Sequence, residues 1–319
     1  MDRKLVVSSS PHLKSPEDIQ SIMVDVLVAL FPVALMAVFL FGYRALVTMV
    51  IAMVVAMVAE AIILRKKDIF GDGSAAVTGL LLAMTLPPSP PWWLVAVGSV
   101  VAIVIGKHLF GGIGNNIFNP ALVGRAVLSV SWAGHIAGDV WVRPVPFDLT
   151  VLSVTRSTVS DAVTEASPLA TYDASLWDLF IGTVPGSLGE TSALALIIGA
   201  IWLYFRGHID WRIPGGFIGI VFLMGLLDGG FTMGVYHVLA GGVLLGALYM
   251  ATDMVTSPVT PIGKIIFGVG CGIVTMIIRM FGTMPEGVTF GILLMNGLTP
   301  IIDNLTIPRK FGEVKKKDA

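Results

Sequence analysis

Thr78-Gly79-Leu80-Leu81-Leu82-Ala83-Met84-Thr85-Leu86-Pro87-Pro88 is a short apolar stretch that runs straight into a proline cluster. A straight transmembrane helix needs roughly 20 apolar residues, so this one reads as a helix that stops inside a membrane. Gly241-Gly242-Val243-Leu244-Leu245-Gly246-Ala247-Leu248-Tyr249-Met250, followed by Thr256-Ser257-Pro258, repeats the design. After each comes an apolar helix ending in a basic residue and Phe-Gly, Lys107-His108-Leu109-Phe110-Gly111 and then Arg279-Met280-Phe281-Gly282. Asn119-Pro120 and Asn296-Gly297-Leu298-Thr299-Pro300 close the two runs. Broken helices at matching positions in two halves point to a central site. The competing explanation is chance similarity between Gly-rich apolar segments.

Composition sets the frame for that stretch. The 319 residues are 55% hydrophobic and 13% charged, with a mean hydropathy of +0.87. That is the signature of an all-α integral membrane protein. Ten apolar segments can be drawn, at 23–41, 45–64, 74–86, 92–106, 117–132, 192–205, 214–227, 236–250, 262–280 and 288–302. Five per half is an odd number, so the second half enters the membrane in the opposite sense: ten transmembrane helices in two inverted five-helix repeats with broken helices. The domain reading is an N-terminal segment 1–22, a first repeat 23–132, a loop 133–191, a second repeat 192–303 and a basic tail 304–319.

Orientation follows from the basic residues. An inside N-terminus puts Arg3, Lys4, Lys14, Arg65, Lys66, Lys67, Lys107, Arg206, Arg212, Lys264, Arg309, Lys310, Lys315, Lys316 and Lys317 on the cytoplasmic side, and only Arg44, Arg143 and Arg156 opposite. The positive-inside rule then makes both termini cytoplasmic and the 133–191 loop extracytoplasmic. The polar first twenty residues precede an apolar run, the wrong order for a cleaved signal peptide. A net charge of −1, segregated by side, makes no case for nucleic acid.

Chemistry-bearing residues are few. The single cysteine, Cys271, cannot form an internal disulfide or hold an iron–sulfur cluster, and His108 and His237 lack the clustering of metal ligands, so no metal is proposed. No catalytic triad, phosphate-binding loop or dinucleotide fingerprint is present. Asp25 and Glu60 lie inside the first two spans, where a carboxylate is a candidate for an ion path or belongs to a structural ion pair. Asp72 or Ser74 caps the third segment. Asn115, Asn116, Asn119 and Arg125 sit in Gly111-Gly112-Ile113-Gly114-Asn115-Asn116-Ile117-Phe118-Asn119-Pro120-Ala121-Leu122-Val123-Gly124-Arg125. They are costly beside a membrane unless they bond to something, either a broken-helix backbone, with Arg125 pairing to Asp72 or Glu60, or a bound cofactor.

Within the loop, Asp161-Ala162-Val163-Thr164-Glu165-Ala166-Ser167-Pro168-Leu169 is a small polar island. It resembles the flavin-attachment signature Asp-x-x-(Ser/Thr)-Gly-Ala-(Thr/Ser)-x-Leu. Phe118-Asn119-Pro120-Ala121-Leu122-Val123-Gly124-Arg125-Ala126 and Thr252-Asp253-Met254-Val255-Thr256-Ser257-Pro258-Val259-Thr260-Pro261 are similar to further stretches of the same family. The chain as a whole thus resembles the NqrB/RnfD family, on the Rnf side by its length.

The resemblance implies a subunit of a multi-subunit translocase, a ferredoxin:NAD oxidoreductase moving Na+ or H+ in a bacterial or archaeal cytoplasmic (inner) membrane. It implies Rnf partner subunits A, B, C, E and G, a flavin transferase for maturation, and membrane lipid. It also implies covalent FMN joined by a phosphoester to Ser167, with Asp161, Thr164, Ala166 and Leu169 as the rest of the motif, and Asn115, Asn119 and Arg125 as further cofactor contacts. A second, non-covalent flavin (riboflavin) is expected near 115–125 or the prolines at 84–88. Two positions depart from the pattern: Ser167 stands for the usual threonine and Glu165 for the usual glycine. A serine hydroxyl forms the same ester, while the Glu165 carboxylate must point away from the phosphate. The competing functions are a cofactor-free channel or transporter, which inverted repeats also suit, and the B-type membrane component of a sodium-pumping NADH:quinone reductase.

Overall fold

The computed structural model describes residues 18–65, 70–136, 141, 142, 144, 164, 165, 168–282 and 287–308. The described residues are helical apart from one two-residue antiparallel pairing of β1 (Trp141–Val142) with β2 (Thr164–Glu165). Five helices are long and apolar enough to cross a membrane: α1 (Ile19–Phe41), α2 (Tyr43–Leu64), α10 (Arg212–Leu239), α12 (Pro261–Phe281) and α13 (Val288–Thr306). Four shorter apolar helices fill the bundle. They are α3 (Ser74–Met84), α4 (Trp92–Val101) with a π-helical continuation Ala102–His108, α5 (Pro120–Ser131) and α9 (Ala193–Phe205). The chain is therefore an α-helical, multi-pass membrane protein.

Local chemistry sets the boundaries. Asp18 and Ser21 form a capping box that opens α1, satisfying donors that would otherwise be orphaned. Gly42, at φ 77°, turns α1 directly into α2, a conformation costly for any residue with a Cβ. Every residue of α3 is buried. At 11 residues it rises only about 16 Å, half of a bilayer core, so it ends inside the bundle.

The stretch 133–191 is more than a loop: it contains α6 (Ala133–Ile136), α7 (Pro168–Thr171) and α8 (Leu176–Ile181). Two of the expected segments also change. In place of 214–227 and 236–250, α10 runs to Leu239 with a break at Gly229 and Gly230, the latter at φ 83°. Residues 231–239 fold back against the preceding turns, because two glycines let the backbones meet: a Cβ on Gly225 would lie 2.9 Å from Gly234 Cα. The half-helix itself is α11 (Val243–Leu245), continued in π-helical geometry over Gly246–Met250.

Helices without a hydrophobic drive between them associate where small residues let backbones approach. Gly268 and Gly272 of α12 face the Ile213 and Phe217 carbonyls of α10 in this way. The tightest approach to backbone is at Gly199 of α9, where a Cβ would overlap the Ala29 carbonyl of α1 and the Tyr249 hydroxyl. That hydroxyl already donates to the Leu196 carbonyl at 2.9 Å. Backbone cannot yield as a side-chain tip does, so Gly199→Val should cost at least the ~1–3 kcal/mol typical of overpacking. Thermal unfolding of the purified protein should show a lowered midpoint, while Gly219→Ala, with open space at its Cβ position, should leave it unchanged.

Candidate functional site

The two asparagines that echo each other in sequence touch in space. The Asn119 amide donates to the Asn296 side-chain oxygen at 3.2 Å, and the Asn119 side chain donates to the Met250 carbonyl at 3.2 Å. Its own oxygen caps α5 by accepting from Ala121 and Leu122. The Asn296 side chain donates to the Thr256 carbonyl at 3.1 Å. Both residues are buried, and each side-chain amide is occupied on its nitrogen and its oxygen. Asn119 therefore serves the broken backbone: it joins α5 and α13 to the end of α11.

Beside this junction lies a cavity of about 110 Å³. Its walls are apolar, with Val77, Leu81, Leu203 and Ile209 among them, and its polar edge carries Thr78, Asn116, Thr252 and Asp253. Ser74, Lys107 and His208 face it from the end of the bundle that bears most of the described basic residues. Of the three asparagines in this region Asn116 and Asn119 line it; Asn115 is exposed and bonds its side chain to the Gly111 carbonyl at 3.5 Å.

Two carboxylate clusters flank the cavity at the basic end. Glu60 of α2 pairs with Lys107, which also bonds Ser74, and with His108 at 3.2 Å. The π-helical turns of α4 place Lys107 and His108 side by side on that carboxylate. Asp25 of α1 pairs with Arg206 at 2.9 Å and His208 at 2.8 Å, tying α1 to the turn before α10. Both expected ion-path carboxylates thus sit in ion pairs. Nearby, Asp210 binds Lys264 and Arg212, each at 3.0 Å. Burial opposes its charge, but these partners outweigh it and hold the carboxyl below its usual range. Its stabilisation is present at neutral pH and is lost only as pH falls through that lowered value. Asp72 caps α3 through Ser74; burial again opposes its charge, and the Ser74 hydroxyl and amide with the Lys107 ammonium lower its pKa.

The two carboxylates expected to pair with Arg125 are engaged by other groups, Asp72 by Ser74 and Glu60 by Lys107 and His108. Arg125 lines a second cavity of about 10 Å³ with Thr85, Thr289 and Glu190. Glu190, in the stretch leading into α9, had no role in the sequence reading, because an isolated acid between Gly and Thr looks like an ordinary cap.

At the opposite end, the described tail of the polar motif is anchored. The Pro168 carbonyl accepts from the Tyr236 hydroxyl at 2.9 Å. Leu169 is buried with Leu179, Val184, Tyr236 and Ala240. Arg279 donates to the carbonyls of His237 and Ala240 at 2.7 and 3.0 Å, securing the floor on which Leu169 rests. Asp161, Ala166 and Ser167 lie outside the described residues, and Thr164 is described only as backbone paired with Val142.

Comparison with known proteins places this geometry. The model of the NQR2, RnfD, RnfE family matches residues 6–312. The chain is 43% identical over 328 residues to the D-type component of the Na+-translocating ferredoxin:NAD+ oxidoreductase complex of Acetobacterium woodii, covering 99% of this chain and 98% of that protein. It is also 43% identical over 334 residues to the D-type component of the proton-translocating ferredoxin:NAD+ oxidoreductase complex of Clostridium ljungdahlii, covering 96% of each. The D-type component of the ion-translocating oxidoreductase complex of Halorhodospira halophila is 35% identical over 344 residues, 96% of this chain and 95% of that protein.

The Glu60–Lys107 pair gives a direct test of the basic-end cluster. Glu60→Gln removes from a buried ammonium, 3% exposed, the carboxylate it bonds directly, and should destabilise the protein by about 3–5 kcal/mol. Glu60→Gln combined with Lys107→Met should recover most of that loss in the same thermal-unfolding measurement. A double variant no better than the single one would show that the pair is not the source.

Proposed function

The chain belongs to the NQR2, RnfD, RnfE family, and from that premise we propose that it is the D-type membrane subunit of an ion-translocating ferredoxin:NAD+ oxidoreductase. It works with Rnf subunits A, B, C, E and G, and it relays electrons through FMN esterified to Ser167. The observation that carries this reading is the anchoring of Pro168 and Leu169. An acceptor hydroxyl immediately before a clamped Pro-Leu holds a tethered group at a fixed place, which is what electron transfer to neighbouring centres requires of the protein. Bound FMN supplies the redox chemistry. This chain's part is to fix its position and surround it with chosen charges.

The architecture we assign is ten passes in two inverted five-helix halves, 23–132 and 192–303, with both termini cytoplasmic and the flavin-bearing loop outside. Three contacts support it. Lys107, at the end of α4, reaches Glu60 and Ser74 at the α2–α3 junction, while Arg279, near the end of α12, reaches the chain entering α11. Asn119 and Asn296 meet between the halves. Basic residues gather at the end of the bundle opposite the motif, as the positive-inside rule asks.

The second, non-covalent flavin belongs in the larger cavity. Apolar walls suit the faces of an isoalloxazine and the Thr78, Asn116 and Thr252 side chains suit its polar edge. A cavity of about 150 Å³ takes one benzene, so a three-ring ligand at 110 Å³ requires the walls to part.

In-gel flavin fluorescence of the denatured chain, made together with its transferase, tests the covalent assignment. The expected result is a fluorescent band that Ser167→Ala abolishes and Ser167→Thr keeps, with mass spectrometry placing FMN on the Ser167 peptide. The absence of any band in the parent would sink the relay and favour a cofactor-free transporter. Separately, Thr78→Phe should fill the cavity and lower the flavin released on denaturation several-fold, while the covalent band stays.

A further inference from the structure

Residues 182–192 lead from the flavin-bearing loop into α9, and they are threaded between the ends of both half-helices. The Leu188 amide donates to the Leu86 carbonyl at 3.1 Å and the Gly189 amide to the Met84 carbonyl at 2.8 Å. These bonds satisfy the C-terminal end of α3. One residue further, the Glu190 carboxylate lies against Gly242 at the start of α11, where a Cβ on Gly242 would be 2.6 Å from Glu190 Oε1. Amides therefore meet the negative end of one half-helix and a carboxylate meets the positive end of the other, the favourable choice at each.

The thread has no slack. A Cβ on Gly189 would lie 2.6 Å from Met84 Cβ, and one on Gly182 would lie 2.7 Å from the Thr191 carbonyl oxygen. Ser187, Thr191 and Ser192 are buried. The cavity that Glu190 shares with Arg125, Thr85 and Thr289 is about 10 Å³, room for a single water. Just upstream, Leu179 and Val184 form the socket that holds Leu169.

We infer that Glu190 is a positioning residue through which residues 168–192, the described end of the flavin-bearing loop, and the two half-helices move as one body. The inference rests on the flavin reading above. Packed segments of this kind switch between discrete arrangements instead of stretching. Whatever a cation does to the half-helix ends is then felt at the flavin, and by linkage flavin reduction acts on the cation to the same extent.

The test uses the whole complex, flavinylated in the cell, with potentiometric titration of the covalent flavin in the absence and presence of Na+ and across pH. Glu190→Gln keeps the shape and removes the charge; Gly242→Ala puts a methyl where the carboxylate oxygen lies. Both should retain the in-gel fluorescent band while the ion-dependent shift of the flavin midpoint potential falls about threefold or more. Glu190→Asp, which keeps the charge on a shorter stem, should retain more of the shift than Glu190→Gln; a purely structural side chain would give the reverse order. Variants that shift as the parent does, or a parent whose flavin answers to neither ion, overturn the inference. A parent with no fluorescent band overturns the flavin reading instead.

Discussion

Two helices end in the middle of an apolar bundle, and the backbone groups exposed there have no water to bond. That constraint organises the structure around it. Each unsatisfied group in hydrocarbon costs several kcal/mol, so partners must be brought from elsewhere in the chain. At the end of α3 they come from the Leu188 and Gly189 amides. At the end of α11 the Met250 carbonyl takes the Asn119 side chain, and Asn119 is braced in turn by Asn296. Segments far apart in sequence are fixed relative to one another because the same few carbonyls need them all. A cavity beside such a junction is the natural place for a ligand, since irregular backbone at membrane depth is tolerated only within protein or along a cavity.

Charge is handled by the same economy. The buried carboxylates Asp25 and Glu60 meet one cationic side chain and one histidine each. Both clusters stand at the end of the bundle where most of the described basic residues gather. The interior near the junction is left to neutral amides and hydroxyls, with Asp253, Lys107 and His208 as the ionisable groups on the larger cavity. A flavin held there would meet a wall whose polarity is set by few residues, which is how a protein tunes a cofactor it does not chemically alter.

Much of this was legible beforehand, and the failures have identifiable causes. The bounds of α1, α2, α12 and α13 follow from apolar runs of sufficient length, because bilayer thickness fixes helix length. The short α3 and its prolines announced a broken helix, and the paired Asn119 and Asn296 marked where the two runs meet. The break at Gly229 and Gly230 falls in the gap expected between 227 and 236, but the division of 236–250 into an arm ending at Leu239 and a half-helix from Val243 did not show, because two glycines in an apolar run look the same whether the helix continues or stops. Glu190 stayed invisible because its role depends on Gly242 and on α3, neither of them its neighbour in sequence. The engagement of Asp72 and Glu60 by Ser74, Lys107 and His108 was hidden for the same reason: sequence shows which charges need company, and only packing says which companion is near.

The returning arm at 231–239 has no helical counterpart among the described residues between Leu64 and Ser74. The half-helix α11 is thus entered from an arm that is folded back on α10 through Gly225 and Gly234. Any displacement of α11 along the bundle must therefore carry the folded-back arm with it.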